Sequence, residues 1–194
     1  MGGMEYKGDI AYIELVLSGN SGAFGYIVDH HKDKAFNLAF RICGNREDAE
    51  EIAQDSFLKA FRSLNGFKMK SSFATWFYRI VYNTSISYVR VRKKGVLSLE
   101  DFPADATDFI GDNSSDDDAE KEYRNALIGF ALQKINEEER GLITLYYYDE
   151  MSTDEISDIT GISKSNIKVR LFRERQKMLD IIEKVEKRKL VYHE

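Results

Sequence analysis

The sequence predicts an all-α protein in which two helical domains are joined by an acidic, flexible linker. Of the 194 residues, 43% are apolar and 31% are charged, a balance that can build packed cores. Pro103 is the one proline, so little interrupts a helix on either side of it. Apolar residues recur at three- and four-residue steps, which is the spacing of amphipathic helices.

Charge is divided unevenly along the chain. The net charge is −5, yet residues 59–94 contain nine lysines and arginines and no acidic residue. Residues 95–122 are strongly acidic, and residues 164–177 are basic again. Two basic modules therefore flank an acidic connector.

The connector has the composition of a linker. It holds Pro103 and the Gly-Asp-Asn-Ser-Ser run at 111–115, and its apolar residues show little periodicity. We therefore expect a first domain over residues 5–94, an acidic linker over 95–120 and a second domain over 121–190.

An acidic helix precedes the first basic module. Asn45 is a typical cap for a helix that begins at Arg46 and runs to Leu64. On periodicity alone, the polar side of this helix is either an ordinary solvated face or a docking surface for a basic partner. The polar residues on that side, around Leu58, are Glu47, Glu50, Glu51, Gln54 and Asp55.

The next helix has one apolar side and one mixed side. Asn65-Gly66 predicts a turn, and a basic loop with Lys68 and Lys70 follows it. At roughly 100° per residue, the expected core side is Phe73, Phe77, Ile80, Val81, Thr84, Tyr88 and Val91. The other side carries Trp76, Arg79, Asn83, Ile86, Ser87 and Arg90.

This mixed side suits unpaired nucleic acid. Aromatic faces stack on bases at roughly 1–3 kcal/mol per base, an amide can read a base edge, and cations hold phosphates. The alternative places Trp76 in the core and leaves the cations solvated. The acid-free run of cations favours nucleic acid.

The second domain has a helix-turn-helix pattern. Ser152 and Glu155 have the spacing of a capping box, Gly161 permits a left-handed turn, and Ser163 caps a helix that begins at Lys164. A major groove accepts one such helix, and bordering cations hold the phosphates, although a solvated helix face is the alternative for each cation alone. The outward residues are Lys164, Ser165, Lys168, Val169, Arg170, Phe172, Arg173, Arg175, Gln176 and Lys177.

Other functional classes have weaker support. A stand-alone, dimeric helix-turn-helix regulator is the main alternative, and it would bind duplex DNA without a polymerase. No catalytic or phosphate-loop motif occurs, so we expect no enzyme activity, cofactor, metal or small-molecule substrate. His30, His31 and His193 are expected at the surface or at helix caps, and Cys43 as a small buried residue.

The same features bear on where the protein acts. A single cysteine cannot form an internal disulfide, so nothing indicates an oxidising compartment. The start lacks the order of a signal peptide, and no stretch approaches the roughly 20 apolar residues that span a bilayer. We expect a cytoplasmic protein without membrane insertion.

Five segments together resemble a known family. Residues 48–57 and 73–83 look like domain two of bacterial sigma factors, and are closest to the extracytoplasmic-function (ECF) branch. Residues 137–140, 145–148 and 155–170 resemble domain four, and the motifs occur in the family's order. The resemblance implies an initiation subunit that binds core RNA polymerase and directs it to promoters.

The resemblance also implies roles for individual residues. The acidic helix would dock on the clamp of the largest polymerase subunit through Glu51, Gln54, Asp55 and Leu58. Unpaired minus-10 DNA would meet Lys68, Lys70, Trp76, Arg79, Asn83, Thr84, Ser87, Arg90, Arg92 and Lys93. Minus-35 duplex would meet Lys168, Val169, Phe172 and Arg173. An anti-sigma factor is an expected partner.

The chain departs from the family pattern at a few positions. Glu174 stands where a small residue is usual, and Val169 replaces a usual serine. Gly141-Leu142 departs from an acidic-hydrophobic pair. Ser165-Asn166 also stands where Gly-Thr is common. We expect the packing of domain four or a local ion pair to differ at Glu174, and the resemblance does not give the minus-35 sequence preference.

Overall fold

The computed structural model describes residues 2–95 and 116–191, with side chains for 8–92 and 120–187. Regular structure in these ranges is entirely helical, which confirms the all-α prediction. None of the described helices is both long and apolar enough to cross a membrane. The helices are α1 Gly2–Leu17, α2 Phe24–Cys43, α3 Arg46–Ser63, α4 Phe73–Gly95, α5 Asp116–Gln133, α6 Glu137–Ile143, α7 Thr153–Thr160 and α8 Lys164–Val191.

The acidic linker expected over residues 95–120 lies largely outside the described residues. The gap covers residues 96–115, and α5 begins at Asp116. The helices therefore group into α1–α4 before the gap and α5–α8 after it.

Helix α3 begins where the sequence predicts. Helix α2 ends at Gly44, whose φ of 75° lies in the left-handed region that favours glycine. Asn45 then accepts a hydrogen bond from the Asp48 amide at 2.9 Å, which satisfies one free amide of the first turn. Cys43 is half-buried rather than buried, and its thiol donates to the Asn45 carbonyl at 3.2 Å.

Aromatic rings fill the core between α2, α3 and α4. Phe57 stacks on Phe77 with ring centroids 4.6 Å apart, and Phe73 stacks on Phe77 at 5.8 Å. These three side chains and Val81 are buried, as the helical spacing predicts. The packing of α3 on α4 therefore fixes which side of α4 remains available to a ligand.

The predicted sides of α4 are wrong at two positions. Val91, expected in the core, is 71% exposed, whereas Ile86, expected outside, is 7% exposed. Helix α4 also packs against α6 and α7 on a second side. The periodicity of one helix does not reveal this second contact.

His31 is buried and not at the surface, so that prediction is wrong. Its side chain is 8% exposed and its Nε2 lies 3.1 Å from a carboxylate oxygen of Asp9 on α1. The rings of Phe73, Phe77 and Tyr78 surround it. Helix α1 covers this part of α2, which supplies the histidine with a partner.

The other two histidines differ from His31. His30 is exposed and stacks on Tyr26 with ring centroids 4.9 Å apart. His193 lies outside the described residues.

Helices α7 and α8 form the predicted helix-turn-helix. Ser152 accepts from the Glu155 amide at 3.3 Å, and Glu155 accepts from the Ser152 amide at 2.9 Å, which completes the capping box. Gly161 has a φ of 74°, as the left-handed turn requires. Ile156 and Ile167 are buried, so the inner sides of both helices lie in the core.

The two groups of helices pack against each other. Helix α6 contacts α2 and α4, and α7 contacts α4. The guanidinium of Arg41 lies 3.6 Å from the centroid of the Tyr148 ring. Burial raises the pKa of Tyr82, on the side of α4 that meets α6, to about 12. One continuous cluster of buried apolar side chains spans both groups.

Candidate nucleic-acid interface

Two adjoining cavities open on the mixed side of α4. Their volumes are about 300 Å³ and about 320 Å³, and they share Ser63, Ile80 and Asn83. The first is completed by Gly66, Trp76 and Arg79, and the second by Lys59, Thr84 and Ser87. Trp76, Arg79, Asn83 and Ser87 are therefore brought together as the helical spacing predicts, and they are joined by Thr84, which that spacing places on the core side but the resemblance assigns to the same site.

Trp76 packs against the core and also lines a cavity, so each of the two alternatives from the sequence, core residue and nucleic-acid contact, describes one side of it. It is half-buried, and its ring centroid lies 5.3 Å from that of Phe67 and 5.6 Å from that of Phe73. It also lines the first cavity, next to Asn83. An indole that the core holds on one side can offer a fixed surface to a stacked base on the other.

The loop before α4 is anchored at both ends. Phe67 is buried, and the Ser72 hydroxyl accepts a hydrogen bond from the Thr75 amide at 3.0 Å. Lys68 and Lys70 between these anchors are exposed. The two lysines are thus available to a phosphate backbone beside the Trp76 cavity.

Sequence reasoning missed the contribution of α3 to this site. Lys59 donates to the Thr84 hydroxyl at 3.3 Å and forms an ion pair with Asp55 at 2.6 Å. Ser63 lines both cavities. The acid-free run of cations begins at Lys59, and this was the available signal. Thr84 is buried, so it forms part of the cavity wall.

The cations near the end of α4 already have partners. Arg90 pairs with Glu138 of α6 at 2.6 Å, and Arg92 pairs with Asp48 of α3. The side chain of Lys93 lies outside the described residues. This part of the predicted minus-10 surface therefore contacts acidic residues of the same chain.

The outward side of α8 presents an apolar strip. Val169 is 63% exposed and Phe172 is 59% exposed, with Ser165 and Lys168 beside them. The Arg175 guanidinium lies 5.8 Å from the Phe172 ring centroid. Apolar side chains bordered by cations are suited to thymine methyls and phosphates in a major groove.

Some cations of α8 form ion pairs with acidic residues of the same chain. Lys164 pairs with Asp154. Arg170 is half-buried and pairs with Glu139 at 2.8 Å, and Arg173 pairs with the same carboxylate at 3.2 Å. The structure thus turns Arg170 toward α6 and away from the exposed strip.

Glu174, one of the unusual positions, is buried within this charged group. It pairs with Arg173 at 3.0 Å and with Lys177 at 3.5 Å. Arg173 thus satisfies one oxygen of this buried carboxylate, whereas Oε2 has no hydrogen-bond partner and only the longer ion pair with Lys177.

The acidic side of α3 forms a surface that adjoins the second cavity through the ion pair of Asp55 with Lys59. Glu51, Gln54 and Leu58 are exposed, and Asp55 is half-buried. Their spacing of three and four residues puts them on one side of the helix. An exposed leucine surrounded by acids is suited to a basic partner with an apolar contact at its centre.

Comparisons with known proteins identify the family. Sigma-70 region 2 matches residues 27–95, and Sigma-70, region 4 matches residues 126–178. The chain is 34% identical over 173 residues to the ECF RNA polymerase sigma factor SigW of Bacillus subtilis, covering 84% of this chain and 91% of SigW. The chain belongs to the ECF family of RNA polymerase sigma factors. The resemblance predicted from its motifs is therefore confirmed, and a stand-alone helix-turn-helix regulator is not favoured.

A further relative agrees with the assignment to this family, and two solved structures share the fold. The RNA polymerase sigma-H factor of Pseudomonas aeruginosa is 28% identical over 174 residues, covering 87% of this chain and 90% of that protein. CnrH in complex with the cytosolic domain of CnrY has a TM-score of 0.64 at 22% identity, covering 89% of this chain and 96% of CnrH. RpoE of Bartonella quintana, solved with the anti-sigma factor NepR, has the same score and identity, covering 82% of this chain and 96% of RpoE.

Proposed function

We propose that this sigma factor uses three surfaces to start transcription. Helix α3 docks on core RNA polymerase, the cavities on α4 capture unpaired minus-10 bases, and α8 reads minus-35 duplex. The observation that carries the proposal is the cavity shared by Trp76 and Asn83, because it is suited to one extruded base. An exposed helix strip elsewhere on the chain is suited to paired DNA.

Strand opening follows from binding energy. Unpairing DNA costs free energy, and each base stacked on an aromatic side chain returns roughly 1–3 kcal/mol. Trp76 supplies the stacking surface, Asn83 can hydrogen-bond to a base edge, and Lys59, Lys68 and Lys70 hold the backbone. The sigma factor therefore needs no catalytic step of its own, and we propose that it is not an enzyme.

Polymerase docking is assigned to the acidic side of α3. Glu51, Gln54, Asp55 and Leu58 would contact the clamp of the largest subunit. The support is a compact set of acidic and apolar groups on one side of α3, which adjoins the second cavity through the ion pair of Asp55 with Lys59. We propose that the protein acts in the cytoplasm, where the polymerase is.

The proposed domain organisation follows the charge pattern. Residues 5–94 form the polymerase and minus-10 domain, and residues 121–190 form the minus-35 domain. We propose that the acidic linker over 95–120 passes near the active-site cleft and the RNA exit path. Its negative charge suits a path that otherwise holds nucleic acid.

An anti-sigma factor is a further proposed partner. Structures similar in fold include a sigma factor solved with the anti-sigma factor NepR. A partner that covers α3 or the α4 cavities would prevent polymerase docking or base capture.

In-vitro transcription with purified core polymerase tests this function. On a promoter library, we expect specific transcripts only when both the chain and the polymerase are present. Replacing Lys168 and Arg173 by alanine should lower transcription that depends on the minus-35 element by about tenfold, as loss of one to two specific contacts does.

Lys184→Ala is the matched control, since Lys184 is an exposed cation near the other end of α8. Specific binding of the free chain to duplex promoter, without polymerase, would contradict the proposal. So would an unchanged response of the double variant to minus-35 mutations.

A further inference from the structure

A buried polar pair between α1 and α2 has no role in the proposed function. The Nε2 of His31 donates to the carboxylate of Asp9, at 3.1 Å from Oδ2 and 3.2 Å from Oδ1. Both residues are buried. A buried carboxylate that loses its partner costs free energy, so the pair holds α1 in a fixed place on α2.

The His31 ring contacts the aromatic side chains that support the Trp76 cavity. Its centroid lies 5.5 Å from that of Phe73, the first residue of α4. The ring of Phe73 in turn lies 5.6 Å from that of Trp76 and 5.7 Å from that of Phe67. Phe67 is the anchor that precedes the basic loop. The Phe73 ring therefore connects the buried pair with Trp76 and with the start of that loop.

The hydrogen bond to Asp9 fixes the orientation of the imidazole. The ring meets those of Phe73, Phe77 and Tyr78 edge to face, at interplanar angles of 60°, 63° and 77°. The energy of such contacts depends on how the rings are turned toward each other. A carboxylate bound to Nε2 prevents the imidazole from rotating, so the contact with Phe73 keeps its geometry.

We propose that Asp9 and His31 are positioning residues for base capture, in which the pair fixes Phe73 and Phe73 fixes the indole of Trp76. The inference rests on the proposed function, because that function assigns the stacked base to Trp76. Neither residue of the pair is among the described side chains that line the two cavities, so both act through Phe73. An indole that is already ordered loses less side-chain entropy when a base binds.

Two variants of the full-length chain at position 9 test the positioning role. Asp9→Ala removes the partner of His31 Nε2 and alters no aromatic ring, whereas Asp9→Asn keeps an oxygen that accepts from Nε2. Asp29→Ala is the matched control, because Asp29 is an exposed carboxylate on α2. Ile42→Val is the control for lost stability, because Ile42 is buried on α2 about three helical turns beyond His31.

Nuclear magnetic resonance of the free chain reports on Trp76 directly. The chain has one tryptophan, so a proton–nitrogen correlation spectrum contains one indole N–H signal. We expect Asp9→Ala to shift or broaden this signal, and Asp9→Asn to restore most of the wild-type position. Both controls should leave the signal unchanged. A signal in Asp9→Ala with the wild-type position and width overturns the inference.

Open-complex formation gives the functional effect. At saturating core polymerase, Asp9→Ala should lower the permanganate reactivity of the minus-10 element by about two- to tenfold, the cost of ordering one further side chain on binding. Co-sedimentation with the polymerase should be unchanged, and Ile42→Val should alter neither measurement. An undiminished reactivity in Asp9→Ala, or an equal loss in Ile42→Val, overturns the inference.

His31→Phe decides the matter if circular dichroism shows that Asp9→Ala does not fold. It keeps a ring beside Phe73 and removes the hydrogen bond, so it should lower permanganate reactivity over the same range. If neither variant folds, the pair is required by the whole fold and the inference fails.

The wild-type chain separates this inference from the proposed function. If it forms no open complex with the polymerase, the proposed function fails, while the indole signal of Asp9→Ala still decides whether the pair positions Trp76. If the wild-type chain opens the promoter and the indole signal of Asp9→Ala is unchanged, the positioning role alone fails.

Discussion

At the scale of single residues, the Trp76 cavity depends on how the core holds each side chain. Phe67 and Phe73 fix the indole on its inner side, and Asn83 lies about two helical turns further along the same side of α4. A base that enters the cavity therefore meets groups that are already in place. Binding then costs little side-chain entropy.

Trp76→Ala and Asn83→Ala should reduce open-complex formation more than polymerase binding. Each removes a contact to an unpaired base, worth roughly 1–3 kcal/mol for the stacking residue, so formation of the open complex should fall by about tenfold or more. Permanganate footprinting measures the open complex, and co-sedimentation measures binding to the core enzyme. Trp76→Phe should recover most of the effect because it keeps an aromatic face. Equal losses in both assays would contradict the assignment.

The sequence could predict those residues of the cavity that lie on one side of a single helix. Trp76, Arg79, Asn83 and Ser87 follow the helical repeat, so they could be found. Lys59 and Ser63 reach the cavity from α3, through a pairing of helices that no local pattern encodes.

At the scale of helices, a capping box fixes where the first helix of the helix-turn-helix begins. Ser152 and Glu155 satisfy each other's amides, whereas the Ser163 hydroxyl before α8 contacts the Ser165 hydroxyl at 3.4 Å. The capping box was readable from sequence because it is a local pattern. The buried Ile86 and exposed Val91 were not, since burial along α4 also depends on helices distant in sequence that pack against it.

Ser152→Ala should lower the free energy of unfolding by about 1 kcal/mol, the usual cost of losing an N-cap. Urea denaturation followed by circular dichroism measures it. Ser163→Ala is the matched control, because it alters a serine before the next helix of the same motif and should cost less. Equal losses from both variants would count against the capping box as a stabilising element.

At the scale of the whole molecule, the arrangement of the two groups of helices could not be predicted from the sequence. The contacts that join them, such as Arg90 with Glu138 and Arg41 with Tyr148, bring together residues far apart in the chain. Composition and charge indicated two helical units and a connector. They carried no information on which faces would meet.

The same contact region contains a carboxyl group with an altered titration. Burial raises the pKa of Asp149 to about 6, against the opposing effects of Lys34 and Arg41. A raised pKa means that the folded chain binds the proton more tightly than the unfolded chain. Its contribution to stability is therefore fully present below the unfolded pKa of 3.8 and is lost as the pH rises through about 6.

Asp149→Asn should make the free energy of unfolding less dependent on pH between pH 4 and pH 7. Between pH 4 and pH 7 the wild-type chain should lose up to about 3 kcal/mol of unfolding free energy from this group, at 1.36 kcal/mol per pKa unit. Urea denaturation at a series of pH values measures the loss in both proteins. Identical pH profiles for wild type and variant would contradict the assignment to Asp149.

The position of Trp76 has a practical consequence. It is the chain's one tryptophan, and it stands at the rim of the cavity proposed for an unpaired base. The tryptophan fluorescence of the chain comes from that place alone, and a stacked nucleobase quenches indole emission. The unlabelled protein thus carries its own optical reporter of strand capture, which stopped-flow mixing with polymerase and promoter can follow in real time.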